Sequence, residues 1–214
     1  MNSLHSLTDE KDTQRVEAFS DGVFAIVITL LIFNVHLPDP ALVTQHGLLA
    51  ELGKAWAVYL GFALSFFFIL VMWINHHRLF TLIRRTDNGL LLFNGLLLFG
   101  VTVVPFTTSI MTEYLNHSEQ QTAIILYSGW FFVVAVMFNL LWRHASRGNR
   151  LFSPYADLRL AAAINRAYNL GLTMYLISVL LAFVSPPISL AITTAMGVFF
   201  ALPNQRMSQL AAVE

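Results

Sequence analysis

Long apolar runs alternate with short polar segments along the whole chain, and six of the runs approach the roughly 20 residues that a bilayer-crossing helix needs. They cover about 16–37, 55–75, 89–111, 122–142, 161–184 and 187–203. Ser185, Pro186 and Pro187 alone separate the last two. Proline disfavours helix at the residue before it, so a tight antiparallel hairpin is expected there. The pattern predicts an all-α integral membrane protein with six transmembrane helices in a single domain over 1–214. It shows no inverted three-plus-three repeat of the transporter kind.

The polar connections differ sharply in charge. Lys11 and Arg15 precede span 1; Arg78, Arg84 and Arg85 lie between spans 2 and 3; Arg143, Arg147, Arg150, Arg159 and Arg166 surround the span 4–5 connection; Arg206 follows span 6. All eleven fall on one side of a six-span chain. The other side has Lys54 with Asp39, Glu51, Glu113 and Glu119. The positive-inside rule then places the N- and C-termini in the cytoplasm, which requires an even number of spans.

Composition narrows the function classes. Hydrophobic residues make up 57% of the 214 positions and charged residues 11%, against about 25% charged in a soluble domain. No large soluble catalytic domain fits. A net charge of zero without a basic block gives no footprint for nucleic acid, and zero cysteines exclude disulfides and thiolate chemistry. The N-terminus lacks a basic n-region and cleavage site, so the first helix is expected to be retained. A Thr-Val-Gly-Tyr-Gly filter, a repeating-arginine voltage sensor, a metalloprotease helix, a hydrolase elbow and a P-loop are all absent from the sequence.

On span 1 the helical step of about 100° per residue puts Ile26, Leu30, Phe33 and Leu37 on one apolar stripe, with Val23 near it and Thr29 beside it. Such a stripe faces lipid or core, or it lines a constriction that filters ions; periodicity does not separate these. Asp21 stands more than a turn into the same run, and Arg15, six residues away, points about 120° elsewhere. Either the acids sit in an interfacial first turn with Ser20 bonded back to its own helix, or they join a buried network with other spans.

Polar residues on later spans offer partners. At the end of span 2, Trp73, Asn75, His76, His77 and Arg78 form an interfacial group. The adjacent histidines diverge too far for a metal pair, and at least one is expected to face the bundle with Asp21 or Asn94 as partner. In span 3, Pro105 frees a carbonyl that Thr107 or Thr108 is placed to satisfy. Asn165, Arg166 and Asn169 cluster on span 5 as helix–helix bonds and a snorkelling arginine.

The string from Arg15 to Asp21, "RVEAFSD", resembles the R-x-x-x-F-S-D signature of the transmembrane protein 175 family, potassium channels known from lysosomes and endosomes and from prokaryotes. The "W..HHRLF" of Trp73 to Phe80, Phe93 with Asn94, and "PFTT" from Pro105 to Thr108 are similar to the prokaryotic members in the same order, so the likeness covers about 15–110.

That resemblance implies a homotetramer with helix 1 of each copy lining a central pore, with Ile26, Leu30 and Phe33 as the constriction and Thr29 beside it. It implies that Arg15, Phe19, Ser20, Asp21, Trp73, His77 and Asn94 tie helix 1 to helices 2 and 3. The implied activity is passive, voltage-insensitive passage of K+ through an apolar ring, without a cofactor and without enzymatic chemistry. The expected partners are copies of the chain itself, K+ and lipid, in a multi-pass cell membrane location. The competing class is a secondary transporter in which Asp21 and His77 titrate during the cycle.

Overall fold

The structure, a computed structural model, describes residues 2–202, with side chains from Thr13 onward. Arg206 and the last residue of the expected sixth span lie outside the described residues, as does the side chain of Lys11. Among the described residues the chain is helical: α1 (Asn2–Leu30), α2 (Pro40–His46), α3 (Leu48–Lys54), α4 (Trp56–Leu82), α5 (Asn88–Glu113), α6 (Gln120–Ser146), α7 (Leu158–Ala182) and α8 (Pro186–Ala201).

Four stretches are long and apolar enough to cross a membrane: Thr13–Asn34, Trp56–Leu82, Asn88–Glu113 and Gln120–Asn149. The protein is a membrane protein. α8 is apolar but only 16 residues long, and α7 carries Arg159, Asn165, Arg166 and Asn169 in its first half.

Start signals fit the helices they open. Asp39, Asp87 and Asp157 each accept a backbone N–H from the first turn of α2, α5 and α7, which satisfies donors that have no partner within the helix. Proline stands at the start of α2 and of α8, where its missing N–H costs nothing. α1 ends in a 3₁₀ turn over Leu31–Asn34, and the backbone is extended at Val35. Leu37 therefore does not continue the stripe of α1. The helix has stopped three residues earlier, in keeping with the bias that Pro38 imposes on the residue before it.

One continuous core runs through α4, α5, α6, α7 and α8, with Phe68, Ile69, Leu97, Val101, Phe131 and Trp142 fully buried. Polar bonds stitch neighbours together inside it: Trp130 Nε1 to the Gly100 carbonyl (2.9 Å), Asn139 Nδ2 to the Tyr168 carbonyl (3.2 Å), and Ser178 Oγ with Thr193 Oγ1 (2.8 Å). Pro105 lies inside α5, yet Thr107 and Thr108 both donate to the Val104 carbonyl (3.0 and 2.9 Å). The carbonyl that a proline frees lies four residues earlier, at Val101, so the expected compensation is displaced by three residues.

α1 is peripheral. It packs chiefly on α4 and α5, burying Thr13, Val16, Ser20, Phe24, Val27 and Leu31 at spacings of three and four.

Candidate ion-conducting face

The polar groups of α1 are spent on its buried side. Ser20, fully buried, donates its hydroxyl to the Val16 carbonyl (2.8 Å), and Asn94 Nδ2 of α5 donates to the Ser20 oxygen (2.9 Å). The Asn94 amide oxygen faces His76 Nε2 of α4 at 2.8 Å. Because Asn94 gives its N–H to Ser20, its oxygen is the acceptor, and His76 takes the tautomer with a proton on Nε2. The protons run in one direction, from His76 through Asn94 and Ser20 to the backbone of α1, with every step satisfied. One residue further along α1, Trp73 Nε1 donates to Asp21 Oδ1 at 2.8 Å, so the Asp21 carboxylate has a dedicated donor on α4.

The histidine in this network is His76, and the expectation for His77 is corrected accordingly. His76 lies on the stripe of Ile69, Met72 and Leu79 that α4 turns inward, wedged between Phe24 (5.5 Å between centroids) and Phe80 (4.6 Å). His77 points outward and stacks on Trp73 at 6.1 Å. The spacing of that apolar stripe was the available signal. It is muted because α4 is hydrophobic on every side.

Arg15 and Phe19 also depart from their implied role. Both are exposed, on the face of α1 opposite Ser20 and Phe24. Glu17, between them, has one carboxylate oxygen that is buried without a hydrogen-bond partner among the described residues.

The exposed face continues from Arg15 and Phe19 through Gly22, Ile26, Thr29 and Leu30 to Phe33. Ile26 is 58% exposed, Leu30 52% and Phe33 73%. Thr29 donates its hydroxyl to the Ala25 and Ile26 carbonyls (both 2.9 Å). Its proton is thereby committed to the helix, and oxygen lone pairs are what it offers outward. Ile26 and Leu30 also border an open recess of about 360 Å³ between α1 and α5, closed on the far side by Thr102 and Pro105. Among the described residues no three acidic or histidine side chains converge as a metal site.

A family model described as the endosomal/lysosomal potassium channel TMEM175 matches residues 15–105, the segment that carries the Ser20, Asp21, Trp73, His76 and Asn94 network. A protein of Chamaesiphon minutus named potassium channel is 43% identical over 194 residues, covering 91% of this chain and 96% of its own length. The chain belongs to the TMEM175 family. A Streptomyces collinus protein also named potassium channel is 38% identical over 190 residues, 88% of this chain and 91% of its own. The human relative, named endosomal/lysosomal proton channel TMEM175, is 32% identical over 139 residues, which is 62% of this chain but 28% of the human protein. Among solved structures, the crystal structure of a lysosomal potassium-selective channel TMEM175 homolog from Chamaesiphon minutus superposes with a TM-score of 0.81, at 41% identity, over 91% of this chain and 99% of that one.

Proposed function

We propose that this chain is the subunit of a potassium channel in which four copies of α1 surround a central pore. The observation that carries the reading is the two-sidedness of α1. Its hydroxyl and carboxylate partners, Ser20 and Asp21, bond to α4 and α5, while the opposite face leaves Ile26, Leu30 and Phe33 uncovered in the protomer. The names borne by the prokaryotic relatives support the same ion.

In this reading α7 and α8 cross the membrane beside the four longer apolar helices, giving six spans with both termini in the cytoplasm. The serine and threonine bonds between α7 and α8 support an antiparallel pair, and the arginine-rich connections α4–α5 and α6–α7 lie at one end of the bundle. The host membrane is the cell membrane, and no cofactor takes part.

The mechanism follows from the apolar lining. Rings of Ile26 and Leu30, with Phe33 outermost, offer no group to replace water of hydration, so an ion sheds part of its shell on entering. Sodium, the smaller ion, holds water more tightly and is penalised more than potassium. Thr29 turns oxygen lone pairs toward the partly dehydrated cation. The polar network behind the helix fixes the rotation of α1, and with it the face that meets the ion.

Proteoliposomes loaded with K+ test this. A channel gives K+ efflux set by the K+ gradient alone, with no coupled proton movement; obligatory proton exchange would identify a coupled transporter. A second reading, proton permeation, is favoured by the names of the vertebrate relatives, and proton flux without K+ in the same vesicles would establish it.

A further inference from the structure

The α4–α5 and α6–α7 connections are clasped together. The backbone N–H groups of Arg84 and Arg85 both donate to the Leu151 carbonyl (2.9 and 3.1 Å), Ser153 N–H donates to the Leu82 carbonyl (2.9 Å), and Ile83 pairs with Phe152 in an antiparallel bridge. Gly148 and Asn149, with φ of 65° and 55°, turn the α6–α7 connection back on itself through the left-handed region that most side chains avoid. Asp87 locks one edge by accepting from Leu90 N–H (2.7 Å), His144 Nε2 (2.8 Å) and Arg150 Nη2 (2.8 Å). Between the connections lies an open recess of about 340 Å³, lined by Arg85, Asn149, Arg150, Phe152, Ser153 and Leu158.

The recess is basic. Residues 83–87 and 147–159 hold five arginines, Arg84, Arg85, Arg147, Arg150 and Arg159, all exposed, against Asp87 and Asp157. Both carboxylates cap helices, Asp157 through the N–H groups of Arg159 and Leu160. Arg150 uses Nη2 on Asp87, one corner of a five-donor fork. The Ser153 hydroxyl accepts from Tyr155 N–H (3.3 Å), and its own proton is a donor toward the recess. The rim is different in character: Tyr155 is 96% exposed and Leu158 58%. An aromatic and an apolar side chain exposed beside a cluster of cations, at the end of membrane helices, are the pattern of an interfacial anchor.

From this we infer that the recess holds the headgroup phosphate of an anionic phospholipid. Arg85 and Arg150 take the phosphate oxygens, Ser153 donates to the ester side, and Tyr155 and Leu158 lie against the acyl chains. A free phosphate would use the arginines equally well but has no use for the apolar rim. The inference rests on this end of the bundle lying at a membrane surface and is independent of where the pore runs.

Native mass spectrometry of the full-length detergent-solubilised protein, mixed with equal amounts of phosphatidylglycerol and phosphatidylcholine, reads it directly. Phosphatidylglycerol adducts are expected to survive in excess, with about a fivefold loss for each of the two lining arginines, Arg85 and Arg150, that is neutralised. Arg85→Gln with Arg150→Gln abolishes the preference, Arg85→Lys with Arg150→Lys keeps most of it, and Arg147→Gln, outside the lining, leaves it intact. Equal retention of the two lipids by the unaltered chain would overturn the inference, whatever the variants do. So would a preference untouched by the double glutamine change, or displacement of the lipid by millimolar inorganic phosphate, which would mark a free-anion site. Lipid retention does not depend on conduction, so this outcome and the flux outcome fail separately.

Discussion

Asn94 of α5 gives an amide N–H to Ser20 of α1 at 2.9 Å and takes one from His76 of α4 at 2.8 Å, so a single buried side chain bridges three helices. Ser20 passes its own proton to the Val16 carbonyl. The arrangement sets α1 in one rotational position, with Ser20 inward and Ile26 outward.

Asn94→Ala is expected to lower stability by about 1–3 kcal/mol, because it strands the His76 N–H and removes the donor to Ser20. Thermal unfolding in detergent, followed by tryptophan fluorescence, measures this. An Asn94→Ala protein as stable as the wild type would show that the bridge holds nothing in place.

Trp73→Phe keeps an aromatic ring but removes the indole donor to Asp21. A half-buried carboxylate without its donor costs about 1–3 kcal/mol, and Asp21→Asn in the same chain should recover most of the loss by removing the charge. A double-mutant cycle on unfolding midpoints reads the coupling. Additive effects would contradict a direct bond.

A β-carbon on Gly197 would run into the ring of Phe68, which is itself packed against Phe67 and Phe131. Gly197→Ala should therefore separate α8 from α4 and cost about 1–3 kcal/mol through overpacking, visible as a lower unfolding midpoint. Gly22→Ala, where an added β-carbon meets nothing within 4 Å, is the matched control and should not lower the midpoint, alanine being the better helix former.

Asp87 carries a pH signature. Burial alone would raise its pKa, but the Leu90 N–H, His144 and Arg150 together hold it below the usual carboxylate value. Its stabilising contribution is therefore complete above the ordinary value of about 3.9 and is lost as the pH falls through the lowered one. The stability gap between wild type and Asp87→Asn should shrink as the pH falls below about 4. A gap that widens below about pH 4 would refute the assignment.

Much of this architecture was legible in the sequence, because lipid leaves the backbone few options and long apolar runs report themselves. The inward position of Asn94 and the back-bonding of Ser20 both follow from polar atoms needing partners where water is scarce. The rest depends on contrast that an all-apolar helix lacks. His76 and His77 could not be told apart until the packed face of α4 was known. Leu37 fits the helical stripe by spacing, but the helix stops at the 3₁₀ turn, ahead of Pro38. The short helices α2 and α3 went unread because seven residues give no periodic signal, yet Asp39-Pro40 was already an N-cap followed by a favoured first residue. The basic recess combines backbone bonds from two connections almost seventy residues apart, which no local pattern reports.

The central claim is that Ile26 meets the permeating ion. Recording Ile26→Asn in planar lipid bilayers with K+ on one side and Na+ on the other tests it most directly. An amide ring in place of an apolar one supplies hydrogen bonds to the ion's water, so the account predicts higher conductance and a reversal potential moved toward equal permeability of the two ions. A correctly assembled Ile26→Asn protein with the conductance and selectivity of the unaltered channel would contradict it.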